Sequence, residues 1–386
     1  MIAGMKRTPI GRFLGGLSDV PGSQLGAVSA KAAITQSGVG TDSISECIMG
    51  TMVPAGTGQV PSRQVALHSG LAESTVCTTI NKACASGMKA ISLAAQSVML
   101  GEHQAVLAGG FESMSRVPHY VFMRKGVAYS NATLIDGVAF DGLTDAFNGM
   151  MMGNCAEKTA SELSITREMQ DEFALESYER ARAAQANGTF EWEIAPVTVE
   201  GRKGPQQVTA DEECQKFAPD KFPALKPAFV KNGTITPANA SKLNDGACTA
   251  VLTSEDFASA QGLKPLARIV ASADAENAPI DFSIAPVGAV RRVLEKAGLT
   301  AQDIDYFEVN EAFSAVALAN MKLLEMDWAK TNVHGGAVAL GHPVGASGAR
   351  IVLSLINVLR SNNAKRGLAA ICNGGGGASA MIVELL

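Results

Sequence analysis

The sequence predicts an α/β protein in which one strand–helix unit is used twice, with a longer insertion between the copies. Three observations carry this. Strand-like and helix-like stretches alternate at both ends of the chain, the signature of mostly parallel sheets with helices on their faces. Two short segments, Ala85-Ser86-Gly87 and Ala346-Ser347-Gly348, hold equivalent places in the two halves. Each opens a helix that leads to a strand and a glycine cluster, the mark of an internal duplication. Between them, residues 120–239 change texture to Met-, Gly- and Pro-rich pieces.

Taken in order, the chain opens on a short apolar strand before Lys6-Arg7, without the layout of a secretory signal. Leu25, Val28, Ala32, Ala33 and Ile34 predict a helix over 23–37, and 45–52 reads as a strand leading into a glycine-rich loop. A short helix follows at 63–69, then a β-branched strand at 76–81. That strand turns at Lys82-Ala83-Cys84-Ala85-Ser86-Gly87 into a helix over 88–100, followed by a strand over 104–108. In the insertion, Thr166 reads as an N-cap and Gly188 as the stop of a long helix. Residues 192–200 read as a strand. The stretch 216–231, with four lysines and three prolines, reads as an exposed basic loop. The second half repeats the plan, with strands at 306–309, 332–333 and 367–372 and a helix over 346–360.

At 386 residues the chain is too long for one ordinary core. Hydrophobic residues make up 47% and charged residues 18%, as expected of a globular protein. A net charge of −5 gives no footprint for nucleic acid, and no apolar run is long enough to span a membrane. Seven cysteines show no CxxC pair or zinc spacing, which fits an intracellular, reducing compartment.

Four groups stand out chemically. Cys84 sits where a strand gives way to a helix, a position that favours a thiolate, although a buried structural thiol fits there too. His342 lies in the run 335–348, where five of fourteen residues are glycine, and packing of the two repeats face to face would give it Cys84 as a partner. Cys372 precedes Asn373 and four glycines. It reads as a second acid or base beside backbone donors for an oxyanion, or as a strand cysteine at a tight turn. Asn310-Glu311 follows a strand, at the end where such sheets bind ligands, though a helix N-cap would use the same residues.

Taken together, Asn81-Lys82-Ala83-Cys84-Ala85-Ser86-Gly87, Asn310-Glu311-Ala312-Phe313, Gly341-His342-Pro343 with Gly345-Ala346-Ser347-Gly348, and Cys372-Asn373-Gly374-Gly375-Gly376 resemble the thiolase family across the whole chain. The nearest likeness is to its acetoacetyl-CoA-forming members of the mitochondrial type. The resemblance implies a layered αβαβα arrangement of two five-stranded mixed-sheet halves. Residues 1–119, completed by about 240–265, would form one half, 266–386 the other, and 120–239 an inserted loop domain that binds coenzyme A. It also implies acetyl-CoA C-acetyltransferase activity, joining two acetyl-CoA into acetoacetyl-CoA and CoA or the reverse, with 2-methylacetoacetyl-CoA as a further substrate to test. The alternatives are a longer-chain 3-ketoacyl-CoA thiolase and a non-catalytic acyl-CoA or lipid carrier.

By the same resemblance Cys84 carries the acyl group and His342 activates it. Asn310 holds a water for the enolate, Cys372 exchanges the α-proton, and the backbone of Gly374 completes an oxyanion hole with that of Cys84. Leu143, Met152, Tyr178, Lys216, Lys221, Ser241, Phe282 and Phe313 match coenzyme A and acyl-pocket positions. Tyr178, Pro237, Ala238, Ala240 and Val338 match a potassium site. No tightly bound cofactor is expected, and a homo-oligomer, dimer or tetramer, in the mitochondrial matrix or cytoplasm is. Some positions depart from the family pattern: Met151 stands for a histidine, Lys216 for an arginine, Pro237 for an alanine, and Ser283 for the proline that follows the acyl-pocket phenylalanine in branched-substrate relatives.

Overall fold

The computed structural model describes all residues except 202 and 203. In the first half, strands β1 (Ile2–Arg7), β2 (Ile44–Gly50), β3 (Val76–Ile80), β4 (Ala105–Ser113) and β5 (Asn244–Thr253) lie in the order β3-β2-β4-β5-β1. β2 runs parallel to β3 and β4, while β5 is antiparallel to β4 and β1. In the second half, β6 (Ala267–Glu276), β7 (Tyr306–Val309), β8 (Arg366–Asn373) and β9 (Gly377–Leu385) follow the order β7-β8-β9-β6 with the same sequence of directions. The two sheets meet at one residue pair, Ile2 and Ala267.

The halves match except at one position. Where the first has β3, the second has a single parallel bridge from Phe307 to Thr331, so the strand predicted at 332–333 does not form. Asn332 explains this: its φ of +50° turns the chain away. Its side chain then donates to the Val309 carbonyl and accepts from the Val309 N–H, both at 2.8 Å. A side-chain amide satisfies backbone groups that a strand would otherwise pair.

The helices that position the site are, in chain order, α1 (Gly22–Ser37), α2 (Pro61–His68), α3 (Ser86–Met99), α4 (Met152–Glu162), α5 (Arg167–Ala186), α6 (Ala285–Ala297), α7 (Ser314–Leu324) and α8 (Val344–Ser361). α8 is buried without a break from Val344 to Leu359. It is enclosed on every side, and even the face carrying Ser347, Arg350, Ser354 and Asn357 is buried. With α3 it forms the central layer, and Ile351 and Leu355 share one core with Val106 and Leu252 of the first sheet and Ile371 and Met381 of the second. Leu25 and Val65 cover the outer face of the first sheet, and Val290 and Met321 that of the second. The result is five layers, αβαβα.

Between β4 and β5 the chain builds the inserted piece. Thr166 caps α5, its hydroxyl accepting from the Met169 N–H at 3.3 Å, and the chain leaves that helix at Gly188 with φ +80°. The strand expected over 192–200 shortens to Val197–Val199, paired with Gln206–Val208. Among the described residues no helix is long and apolar enough to cross a membrane.

Candidate active site

The turn after β3 is built by its own side chains. Asn81 Oδ1 accepts from the Ala83 N–H, and Ser86 Oγ accepts from the Lys82 N–H, each at 2.8 Å. Ala83 is held at φ +44°, a conformation uncommon for a residue with a Cβ, and α3 begins at Ser86. Cys84, between them, packs with Met114, Leu143, Leu243 and Val344. The N–H groups of Gly374 and of Cys84 itself lie near enough to its sulfur to favour the thiolate.

Two donors would favour a thiolate, yet burial outweighs them and pushes the Cys84 thiol up to about 11, with the Glu112 carboxylate adding to the rise. This corrects the expectation of a lowered thiol drawn from its place at a helix start. The apolar cluster around the sulfur disfavours the charge more than the helix end favours it.

His342 is 5% exposed and held by the distant Asn244 and by its own loop. Its N–H donates to Asn244 Oδ1 at 2.8 Å, and its Nδ1 lies 2.6 Å from Ser347 Oγ. That hydroxyl donates to the Pro343 carbonyl at 3.0 Å, so it accepts from Nδ1–H, which leaves Nε2 as a bare lone pair. Nε2 has no protein partner. Burial, then the Arg350 charge, lowers the imidazole to about 3, so it is neutral at physiological pH. Gly341, at φ +108°, brings the Asn244 amide so close that a Cβ there would lie 2.5 Å from it.

The second thiol, Cys372, is the last residue but one of β8 and lies in a cluster with Met152, Phe282 and Phe313. Burial raises it first and the nearby Cys84 second, so the two sulfurs are electrostatic neighbours. Lys82 fastens the turn that follows: its ammonium donates to Asn373 Oδ1 and Glu276 Oε1, both at 3.1 Å, while Asn373 Nδ2 donates to the Gly374 carbonyl at 2.8 Å. Asn310, at the end of β7, is buried with both amide atoms lacking a protein partner. The neighbouring Glu311 has a different task. It accepts from Ser177, Asn332 and the Val338 N–H at 2.7–3.0 Å, tying α5 to the segment that leads to His342.

A cavity of about 490 Å³ reaches His342, with Leu143, Met152, Lys216, Ser241 and Phe313 also in its wall. Lys221 lies exposed on the turn Pro219–Ala224, away from the lining, and Phe282 is buried beside Cys372. Tyr178 stacks on Phe217 at 5.1 Å inside the insertion, where Ala238 is also buried. Pro237 and Ala240 line the cavity.

Two of the carbonyls matched to potassium are already engaged. Lys242 Nζ donates to the carbonyls of Ala240 at 2.7 Å and Val338 at 3.0 Å, and stands 5.2 Å from the centre of the Tyr178 ring. Burial lowers this ammonium to about 8, with Glu213 and Glu311 opposing the shift, so it is charged at neutral pH. With the Ala240 and Val338 carbonyls taken by an ammonium, this set does not fit an added monovalent cation. Among the described residues no cluster of three His, Cys, Asp or Glu side chains could hold one either.

Sequence reasoning missed several supports of the site. Glu112 accepts from Thr51 Oγ1, the Met52 and Val53 N–H groups and the Gly345 N–H at 2.7–3.3 Å, joining the loop after β2 to the start of α8. A carboxylate inside the apolar run 105–113 was its one local signal. Asn244 and Lys242 gave none.

The family models "Thiolase, N-terminal domain" and "Thiolase, C-terminal domain" match residues 1–256 and 263–385. A probable acetyl-CoA acetyltransferase of Dictyostelium discoideum is 52% identical over 100% of this chain and 94% of the relative. The mitochondrial acetyl-CoA acetyltransferase of Bos taurus is 52% identical over 98% and 90%. Among solved structures, Acat5 thiolase from Ascaris suum in complex with coenzyme A superimposes with a TM-score of 0.95 at 44% identity, covering 100% of this chain and 99% of that one. The Bacillus anthracis acetyl-CoA acetyltransferase gives 0.98 at 38% identity, over 100% and 98%. On its matched domains, its relatives and its fold, the chain belongs to the thiolase family.

Proposed function

We propose that the chain is an acetyl-CoA C-acetyltransferase that forms or cleaves acetoacetyl-CoA through an acetyl-Cys84 intermediate. The observation that carries this is the convergence on Cys84 of two backbone N–H donors, Cys84 and Gly374, with Cys372 as its electrostatic neighbour.

In the cleavage direction the Cys84 thiol attacks the 3-keto carbonyl while its proton passes to the Nε2 lone pair of His342. The N–H groups of Cys84 and Gly374 hold the oxyanion as it forms; one such donor is worth about 10²–10³ in rate. The carbon–carbon bond then breaks and acetyl-CoA leaves as an enolate. Its oxygen is held by the protonated Nε2 of His342 and by a water on the unpaired amide of Asn310, and its carbon takes the Cys372 thiol proton. Coenzyme A then attacks acetyl-Cys84, giving its thiol proton to the Cys372 thiolate. Cys84 leaves and recovers its proton from His342. The raised Cys372 thiol suits both tasks: it is protonated at rest, and once ionised it is a strong base. Condensation is the same path reversed.

The pantetheine arm would run past Leu143, Met152 and Ser241, with Lys216 and Lys221 near the ADP phosphates. Met152, Phe282 and Phe313, clustered with Cys372, put bulky side chains beside the reacting carbons, which supports acetoacetyl-CoA over longer 3-ketoacyl chains. The edge strand β3, with Val76 exposed, and the exposed Phe122, Tyr129 and Phe147 support a homo-oligomer. Seven free cysteines support a reducing compartment, mitochondrial or cytosolic.

The direct test is Cys84→Ala, expected to abolish acetoacetyl-CoA cleavage and covalent acetyl labelling; retained turnover would overturn the reading. In parallel, rates with acetoacetyl-CoA, its 2-methyl analogue and a medium-chain 3-ketoacyl-CoA define the acyl pocket. A medium-chain substrate turned over as fast as acetoacetyl-CoA would replace the short-chain assignment with the longer-chain one.

A further inference from the structure

We infer that Lys242 is a monovalent cation built into the chain, standing where the family resemblance implies potassium, so that the site is organised without an added ion.

Three of the five groups matched to potassium converge on one ammonium: the Ala240 and Val338 carbonyls at 2.7 and 3.0 Å, and the Tyr178 ring at 5.2 Å. An ammonium offers three N–H donors. Two go to carbonyls, and the ring face accepts positive charge. A potassium ion on the same carbonyls would meet a like charge within van der Waals range, so tethered and added cations exclude each other.

The position of Lys242 gives it a task. Ala240 precedes Ser241, a cavity-wall residue whose N–H donates to the Ala312 carbonyl at 3.0 Å, next to Phe313. Val338 belongs to the one-turn helix Ala337–Leu340, which leads directly into Gly341 and His342. One ammonium therefore joins the wall proposed for pantetheine to the segment carrying the imidazole. Glu311 holds the same short helix through the Val338 N–H at 3.0 Å. Lys242 is thus a positioning residue, acting through Ser241 and His342.

The test compares potassium chloride with tetramethylammonium chloride at equal ionic strength, reading Tm alongside kcat and KM. The unmutated protein should show no potassium-specific change in any of these. Lys242→Ala, which opens room for an ion, should lower Tm and reduce kcat/KM about tenfold in tetramethylammonium chloride, the scale of losing a group that orients a site. Potassium should restore both. Lys242→Met, which keeps the stem and removes the charge, should lose as much and not recover. A potassium-dependent Tm or rate in the unmutated protein would overturn the inference, as would a Lys242→Ala protein that needs neither lysine nor ion. If Lys242→Ala does not fold, the titration of the unmutated protein decides alone. Because Tm requires no turnover, failure here is distinct from failure of the proposed reaction.

Discussion

Cys84 and His342 are each held neutral, because loss of solvent raises the thiol to about 11 and lowers the imidazole to about 3. This has a sign that can be measured. An unfolded histidine titrates near 6.5, so below that pH the unfolded chain takes up a proton that the folded chain refuses. Stability is intact above pH 6.5 and falls as pH drops toward 3, by about 1.4 kcal/mol per unit, or about 2 kcal/mol by pH 5. The carboxyls raised by burial, such as Glu308 at about 8, push the other way but are common to wild type and variant. Urea unfolding of wild type and His342→Gln at pH 7 and pH 5 isolates the term. The variant should lose about 2 kcal/mol less across that interval, and equal losses would refute a buried neutral imidazole.

At the scale of elements, the site depends on how closely α3 and α8 approach. A Cβ on Gly87 would lie 2.9 Å from both the Ala349 nitrogen and the Gly345 carbonyl oxygen, and one on Gly348 would lie 2.7 Å from the Met88 nitrogen. The contacts are reciprocal, 87 against 349 and 348 against 88, as expected of a duplicated unit packed about a pseudo-twofold axis. Small residues there let two helix starts, one following Cys84 and one following His342, touch backbone to backbone. Gly87→Ala should therefore cost about 1–3 kcal/mol by overpacking and lower kcat as well, since the helices cannot part without moving both groups. A change in urea midpoint with kcat intact would mean that the crossing supports the fold alone.

The whole molecule is held to its insertion by a buried ion cluster. Arg7 of β1 places Nε 2.6 Å from Glu193 and its fork 2.7 and 2.9 Å from Asp211, all three side chains being buried. Removing one partner leaves charge without compensation in a medium that cannot solvate it. Asp211→Ala should lose about 3–5 kcal/mol, seen as a lower Tm, and an unchanged Tm would show the cluster to be dispensable. Asp211 Oδ1 also accepts from the Ile10 N–H at 2.8 Å, and Glu212 follows with bonds to Arg12 and Gly16. The loss should therefore loosen the first loop of the chain together with the insertion.

The sequence by itself determined what depends on near neighbours: the alternation of elements, the duplicated turns, the caps of α5, and the four segments that place Cys84, Asn310, His342 and Cys372 at strand ends and helix starts. Period, turn chemistry and small-residue spacing act over a few residues, so they can be read from the string. Tertiary structure decided the rest. It set the direction of the Cys84 shift and the tautomer of His342, reduced the last strand position to the Thr331 bridge, and placed a lysine ammonium at the oxygens matched to potassium. Each depends on groups brought together from distant segments, as Asn244 is to His342, Gly374 to Cys84 and Val338 to Lys242. Charge and burial at a point are set by whatever the fold delivers there, and only the assembled layers fix what that is.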